Sequence, residues 1–442
     1  MKTIIMAGGK GTRISDLFPN IPKPLIKVDN IPVLEREIIS LVAQGFTDII
    51  ITVSYMADKI IEYFEDGKNW GCEITYFVEE EPLGNAGALF KLRRELGSDP
   101  FLLLNADAMF DVDFNKMVEF HKKHKGLVTL FTHPNSHPYD SGLIIANQCG
   151  RVEKWLTKED VRPKYYKNRV NAGLHIIDPI VLDQTGINTD KIGRLDNSIG
   201  KIFKVDLDRQ ILKPLAGSGK MYCYDSPEYV KDMGTPERFS AVEKDFKAGI
   251  VTGKNLMNKQ KAIFLDRDGT INKYVGFLRN INDFQLIDTV ADAIKSINSS
   301  GYLTIVVTNQ PVIARGEVTY EQLDEIHKKM ETELGLKGAY IDAIYYCPHH
   351  PDKGYEGEII ELKKECDCRK PKPGMLIHAA ADFNIDLEKS YMIGDSENDI
   401  KAGIAAGCKC ILINGQDSDC RMGDYGQIDT LDSVKKFTEL YL

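Results

Sequence analysis

Three groups of residues in this sequence have the types and spacing for chemistry. Asp266 and Asp268 stand one residue apart in FLDRDGT, residues 264–270, at the end of an apolar run. At a strand end, the first carboxylate of such a pair can face a phosphorus atom while the second reaches the leaving oxygen. A DG turn with a stray acid is the alternative. Cys347-Pro-His349 and Cys366-Asp-Cys368 put two ligands on each side of a 16-residue loop. Three sulfurs and one imidazole close a tetrahedral Zn²⁺ shell with no vacancy, which predicts a structural metal. Residues 7–13, AGGKGTR, place Gly8, Gly9, Gly11, Thr12 and Arg13 just after a strand-like run, and Lys23 follows within Pro22-Lys23-Pro24. Backbone N–H groups of such a loop can close on a polyphosphate that Arg13 and Lys23 neutralise. Its spacing fits neither the dinucleotide fingerprint nor the nucleoside-triphosphate P-loop, and a tight turn with exposed basic residues is its alternative. Gly217-Ser218-Gly219-Lys220 misses the P-loop pattern too and reads as a surface turn.

The stretch from Gly9 to Pro24 resembles the opening signature of the sugar-1-phosphate nucleotidyltransferases, GGxGTR followed by PKP. Further matches follow in that family's order: Glu81 to Gly87 (EPLGNAG), Asn105-Ala106-Asp107, Val152-Glu153-Lys154, Asn171-Ala172-Gly173 and Asp232 to Pro236 (DMGTP). The resemblance covers roughly residues 1 to 240. It implies an α/β fold around a mixed sheet and transfer of a nucleotidyl group from a nucleoside triphosphate to a sugar 1-phosphate, releasing pyrophosphate. In-line displacement at phosphorus needs positioning and charge more than covalent help, so Mg²⁺ on Asp107 and Asp232 would bridge both substrates. By the same resemblance Arg13 and Lys23 steady the triphosphate, with Gly8, Gly9, Gly11 and Thr12 lining it. Lys154 takes the sugar phosphate, Glu153 and Asn171, beside Gly173, bond sugar hydroxyls, and Leu83, Gly84, Asn85 and Gly87 meet base or ribose. Ala106 departs from the family's usual Gly, and Ala resists φ > 0.

Downstream of FLDRDGT come Thr308-Asn309, Arg369-Lys370-Pro371 and Gly394 to Asp399 (GDSEND), each after an apolar strand candidate or loop. This succession resembles the haloacid dehalogenase superfamily of aspartate-dependent phosphatases, over residues 261 to about 415. The resemblance implies that Asp266 attacks phosphorus to give an aspartyl-phosphate and that Asp268 protonates the leaving oxygen, then activates water. Mg²⁺ would sit on Asp266, the Asp268 backbone carbonyl and Asp395, with Thr308 and Lys370 holding the phosphoryl group. Asn309, Arg315 and Arg369 are candidates for substrate contacts, and Asp399 supports the loop. With the Cys/His clip followed by RKPKPG, the match narrows to the D,D-heptose 1,7-bisphosphate phosphatases. Histidinol-phosphate phosphatases share these elements, but a sugar-1-phosphate nucleotidyltransferase has no evident use for histidinol. Gln310-Pro311-Val312-Ile313 stands where the family usually has a Ser-Gly pair, which bears on sugar preference. Together the resemblances imply removal of the C7 phosphate of a heptose bisphosphate and conversion of the 1-phosphate to a nucleotide sugar. The first half resembles the D-glycero-α-D-manno-heptose 1-phosphate guanylyltransferase branch, implying GTP in and GDP-heptose out. Three rivals stand beside this: hexose substrates such as mannose 1-phosphate, a histidinol-phosphate-type phosphatase, or one half serving only as a ligand-binding module.

The elements that must position these groups follow an α/β rhythm that occurs twice. Strand candidates in the first copy are Thr3 to Met6, Asp48 to Val53, Ile74 to Val78 and Phe101 to Leu104. In the second they are Ala262 to Leu265, Thr304 to Val307, Ala343 to Tyr346, Tyr391 to Ile393 and Lys409 to Ile413. The expected fold is a Rossmann-like mixed sheet followed by a doubly wound parallel sheet carrying a zinc loop. Domains are expected at 1–245 and 261–442, with 246–260 as linker because it lacks hydrophobic periodicity and carries two Gly. The amphipathic tail, Leu431 to Leu442, reads as a helix closing the second domain, with a homo-oligomer seam as the alternative.

In 442 residues, 43% are hydrophobic and 27% charged, which excludes disordered, collagen-like and disulfide-scaffold classes. Fifty-six basic residues against 65 acidic, net −9, argue against nucleic-acid or anionic-membrane partners. No apolar stretch reaches the ~18 residues of a spanning helix, and MKTIIMAGGKG lacks a signal peptide's apolar core, so a cytoplasmic protein is expected. Nine cysteines there are not a disulfide framework. His350 reads as a bystander and Cys408 and Cys410 as packing residues, while Cys72, Cys149, Cys223 and Cys420 have no visible partners.

Overall fold

The computed structural model describes residues 1–9, 13–196, 200–413, 429–431 and 433–442. Gly11, Thr12 and Cys420 lie outside the described residues. Two compact units emerge: residues 1–132, 144–156 and 171–255 form the first, and 133–143, 157–170 and 256–442 the second.

The first unit is built on β1 (Thr3–Met6), α1 (Val33–Ala43), β2 (Asp48–Val53), β3 (Glu73–Val78), β4 (Phe101–Asn105), β5 (Ala108–Asp111), β6 (Val128–His133), β7 (Leu143–Ala146), β8 (Val152–Leu156), β9 (Val170–Ile177), β10 (Met221–Asp225), β11 (Tyr229–Asp232) and α2 (Pro236–Lys247). Its nine-stranded sheet runs β8-β7-β9-β4-β1-β2-β3, with β6 paired to β9 and β10. β1 lies parallel to β2 and β4, and β9 joins β4 antiparallel, so the sheet is mixed. Ile4 packs into one apolar layer and Ile5 into the other, both fully buried. A sheet covered on both faces needs apolar residues at consecutive positions, which is why Ile4-Ile5 and Leu102-Leu103-Leu104 stand in unbroken apolar runs. A separate antiparallel pair, β5 with β11, sets Asp232 opposite Ala108. That register brings Asp107 and Asp232, 125 positions apart in sequence, to one place.

The second unit carries β12 (Ala262–Leu265), α3 (Val290–Ser299), β13 (Leu303–Asn309), α4 (Tyr320–Leu336), β14 (Ala343–Cys347), α5 (Gly374–Phe383), β15 (Tyr391–Gly394), α6 (Glu397–Ala406), β16 (Lys409–Ile413), β17 (Asp429–Leu431) and α7 (Val434–Tyr441). Its six strands run β14-β13-β12-β15-β16-β17, all parallel. Strand order reverses at β12, between β13 and β15, and ligands of doubly wound sheets bind outside the strand ends at such a point. Phe437 of α7 is fully buried against Tyr391, ring centroids 5.0 Å apart, so the tail packs into this unit's core.

Residues 246–260 are not a loose connection. α2 runs to Lys247, a short helix (Ile250–Gly253) buries Val251, and Asn255 donates to Asp111 Oδ1 at 2.6 Å within the first unit. From Leu256 onward the chain is held by the second unit, where Asn384 Nδ2 donates to the Leu256 and Asn258 carbonyls at 3.0 and 3.1 Å. Hydrogen bonds to distant residues supply the order that local periodicity does not announce. Segments 133–143 and 157–170 belong to the second unit. There Tyr166 N donates to Thr332 Oγ1 at 2.8 Å, and Arg169 forms an ion pair with Glu331 of α4 at 3.3 Å, both side chains at most 6% exposed.

Candidate active sites and metal centre

In the first unit, Lys23 sits in a short 3-10 turn (Lys23–Leu25) and is 8% exposed. Its ammonium lies 2.8 Å from Asp107 Oδ2 and 3.4 Å from Asp232 Oδ1. Arg238 pairs with the other Asp232 oxygen, and Gly234 N donates to Oδ1 at 2.6 Å. Burial would push the Asp232 carboxyl up, but Lys23, that N–H and Arg238 outweigh it and hold it below the usual range. The pair is thus built to face positive charge. Arg13 belongs here too: a Cβ built on Gly234 would lie 3.0 Å from its Nη2. Gly8 abuts Glu79 and Ser54, while a Cβ on Gly9 would meet nothing within 4 Å. Ala106 keeps φ out of the left-handed region and buries its methyl, so the expected Gly is not required.

Other expected positions surround this point unevenly. Asn171 Oδ1 accepts from Gly173 N and lies 3.1 Å from His175 Nε2, and Gly173, φ +79, leaves only 2.6 Å between a built Cβ and Asn105 Nδ2. Both therefore sit beside the strand that leads to Asp107. The Leu83–Gly87 turn is pinned to the 205–207 backbone: Val205 N donates to Leu83 O at 2.9 Å and Leu207 N to Asn85 Oδ1 at 2.8 Å. Gly84 approaches so closely that a Cβ would lie 2.4 Å from Val205 O. Leu83 buries its side chain in the core, so this position offers a ligand its backbone alone. A Cβ on Gly87 would come within 2.7 Å of Leu83 Cβ. Glu153 and Lys154 are exposed on β8, three strands from β4 in the order of the sheet.

In the second unit, Asp266 leaves the end of β12, its N–H held by Ile393 O at 2.9 Å. Lys370 Nζ is the hub, 2.8 Å from Asp266 Oδ1, 2.5 Å from Asp399 Oδ1 and 2.8 Å from Val307 O. Asp399 also caps α6, accepting from Ser396 N at 3.0 Å. Oxygens of Asp266, Asp395 and Asp399 lie within 4.8 Å of one another. Burial drives the Asp266 carboxyl up to about 7 despite Lys370, and the Asp395 carboxyl to about 6. Burial pulls the Lys370 ammonium the other way, but Asp266 and Asp399 outweigh it and hold it above its ordinary value. Three carboxylates against one ammonium leave surplus negative charge that a divalent cation fits.

Asp268 behaves differently. Burial alone would raise it, but the Arg267 guanidinium and hydrogen bonds from Arg267, Asn272 and Gln310 keep it below the usual range. Gln310 Nε2 also donates to Thr308 Oγ1 at 2.9 Å. Asn309, expected as a substrate contact, spends both ends of its amide on the Lys370 backbone, at 2.9 and 3.0 Å, and so holds the lysine. Arg315 lies between two rings, 4.1 Å from the Phe277 centroid and 4.5 Å from Tyr355, and Arg369 donates to the His349 carbonyl at 3.3 Å.

Cys347, His349, Cys366 and Cys368 converge, with Sγ–Sγ separations of 3.2 to 3.5 Å and His349 Nδ1 3.3 Å from Cys368 Sγ. These are more than 1 Å longer than a disulfide bond of ~2.05 Å, and close to the ~3.8 Å edge of a tetrahedron with 2.3 Å metal–sulfur bonds. Hydrogen bonds from Cys347 and Cys366 draw the Cys368 thiol down to about 5, the thiolate form a metal takes. Arg267 and His327 had no expected task, and Gln310 was expected only to bear on sugar preference. An arginine between two acidic residues is a readable charge partner, whereas nothing around His327 signals its contact.

These two centres define an enzyme of phosphorus chemistry, a transferase unit joined to a phosphatase unit. Residues 2–248 match the nucleotidyl transferase family and residues 367–433 the HAD-hydrolase-like family. The D-glycero-β-D-manno-heptose-1,7-bisphosphate 7-phosphatase of Yersinia pestis is 45% identical over 157 residues, 35% of this chain and 81% of that protein. The chain therefore belongs to the nucleotidyl transferase family and, through its second unit, to that phosphatase family. Among solved structures, HddC from Yersinia pseudotuberculosis is 22% identical over 55% of this chain and 99% of its own, with TM-score 0.46. A D,D-heptose 1,7-bisphosphate phosphatase from B. bronchiseptica, complexed with magnesium and phosphate, is 30% identical over 41% of this chain and 97% of its own, with TM-score 0.35. No described helix is long and apolar enough to cross a membrane.

Proposed function

We propose that this bifunctional enzyme removes the C7 phosphate of D-glycero-D-manno-heptose 1,7-bisphosphate and then joins GMP from GTP to the resulting heptose 1-phosphate, giving GDP-heptose and pyrophosphate. The observation that carries it is the 45% identity to a heptose bisphosphate 7-phosphatase in a chain whose other unit is a nucleotidyl transferase. In the phosphatase, an Asp266 oxygen bonds to phosphorus as the bond to the sugar oxygen breaks, and Asp268 gives that oxygen a proton. The arriving phosphoryl charge is what raises Asp268's affinity for a proton. Water then attacks phosphorus, Asp268 takes its proton, and inorganic phosphate leaves Asp266 free. Lys370 and Thr308 hold the phosphoryl oxygens, and Arg369 and Arg315 meet the rest of the sugar phosphate. Asp266, Asp395 and the Asp268 carbonyl would hold Mg²⁺, which supplies charge neutralisation as anion approaches anion.

In the transferase, a sugar-phosphate oxygen attacks the α-phosphorus and the bond to pyrophosphate breaks. Lys23 and Arg13 balance the departing charge, and Gly8 and Gly9 offer backbone donors to the triphosphate. Asp107 and Asp232, which converge on one ammonium, would hold Mg²⁺ there. Asn171, Glu153 and Lys154 are assigned to the sugar phosphate and the Leu83–Gly87 turn to the nucleoside. The four Cys/His ligands would hold a structural Zn²⁺. The choice of guanine rests on pathway logic. Mass spectrometry of the protein with Mg²⁺, α and β bisphosphates in separate reactions, and all four ribonucleoside triphosphates tests the whole reading. GDP-heptose is the expected product; an untouched bisphosphate rejects the heptose assignment.

A further inference from the structure

Arg267 is 0% exposed and the largest fully buried side chain among the described residues. A guanidinium in that position is tolerated only if its N–H groups find acceptors. Nε and Nη2 donate to Asp268 Oδ1 at 3.2 and 3.0 Å, and Nη2 also to Asp268 Oδ2 at 2.7 Å and Gln310 Oε1 at 3.0 Å. The remaining arm is held by His327 of α4, whose Nε2 lies 3.2 Å from Nη1. Since Arg267 can only donate, Nε2 accepts and the ring proton sits on Nδ1. Burial, and then the adjacent guanidinium, push the imidazole down to about 3, so it stays a neutral acceptor. Gln310 closes the ring of contacts by donating to Asp268 Oδ2 at 3.0 Å.

We propose that His327 is a positioning residue of the phosphatase: acting through Arg267, it fixes the angle at which the Asp268 carboxylate meets the leaving oxygen and the attacking water. This rests on the reading of Asp268 as the proton-transfer group. Without the imidazole, one arm of the guanidinium loses its acceptor and the fork can swing, while Asn272 and Gln310 still tether Asp268. The loss is therefore partial and falls on turnover.

The test uses the full-length protein and its bisphosphatase kinetics. His327→Phe keeps a ring and removes the acceptor, and His327→Gln restores an acceptor. The expected result is a kcat about tenfold or more lower for Phe, with KM unchanged, and recovery by Gln. In a double-mutant cycle, Arg267→Gln with His327→Phe is expected to be no worse than Arg267→Gln alone. Should Phe not fold, His327→Met carries the same comparison. Unchanged kcat in the Phe or Met variant, equal loss in Gln, or additive losses would each overturn the proposal. Asp268→Asn separates the two readings: if it retains full turnover, the assignment of Asp268 itself fails, whereas an inactive Asp268→Asn beside a normal His327→Phe sinks only the role of His327.

Discussion

Gly269, in the turn between Asp268 and Asn272, has φ +83, and a Cβ built on it would lie 1.8 Å from Asp395 Oδ2. The Gly269→Ala substitution must displace Asp395 or strain the backbone, at about 1–3 kcal/mol. Phosphatase kcat is expected to fall roughly a hundredfold while transferase activity is kept, and assaying both on one preparation checks this. Two buried histidines set an acid dependence of stability. Burial takes His175 and His327 to about 3, below the ~6.5 of an unfolded histidine, so the unfolded chain binds the extra protons. Their contribution is complete above ~6.5 and is lost as pH falls toward 3, by about 1.4 kcal/mol per pH unit for each. Denaturant unfolding between pH 7 and 5 measures it, and a flat profile would reject the buried neutral assignment. Asp266, Asp268 and Lys370 were legible because attack, proton transfer and charge balance at phosphorus restrict the residue types. Asn309 and Leu83 were not, because a side chain's motif position does not say whether it turns to a ligand, a neighbouring backbone or the core.

The clip between β14 and α5 gathers four candidate metal ligands, of which Cys347, Cys366 and Cys368 pack in an apolar cluster of the second unit. It also carries the chain into Arg369 and Lys370, and Arg369 donates to the His349 carbonyl, so a zinc ion held here should matter to the phosphatase site. One Zn²⁺ per chain is expected by elemental analysis, and chelation should lower the second unit's melting temperature and phosphatase activity together, with zinc restoring both. Cys366→Ser is expected to mimic chelation. The docking of 157–170 on α4 makes a parallel prediction. Arg169→Ala removes the guanidinium partner of Glu331 where both are nearly inaccessible, which should destabilise the second unit by about 3 kcal/mol, read by its thermal unfolding. Strands such as Thr3–Met6 and Lys409–Ile413 were legible to the residue, because a sheet covered on both faces demands consecutive apolar residues, as in Ile4-Ile5 and Ile411-Leu412-Ile413. Segments 133–143, 157–170 and 246–260 were not, since they are polar and their order comes from partners such as Thr332 and Asn384 far along the chain.

Across the whole molecule, two motif sets announced two α/β units, and the chain's crossing between them at 133 and 157 left no mark on local composition. Two separate sets of reacting groups also make the order of reactions testable by point mutation. Asp266→Asn removes the proposed nucleophile and should lower phosphatase turnover by a thousandfold or more, about the scale of losing an attacking group. Such a protein, given heptose bisphosphate and GTP, should leave both unused, yet make the nucleotide sugar when given heptose 1-phosphate. Asp107→Asn should do the opposite and accumulate heptose 1-phosphate with inorganic phosphate. Mixed together, the two variants should restore GDP-heptose synthesis, because each supplies the step the other lacks and the intermediate is a stable sugar phosphate. A nucleotide sugar still bearing its C7 phosphate, formed by Asp266→Asn from the bisphosphate, would instead place nucleotidyl transfer first and make the phosphatase act on the nucleotide-linked sugar.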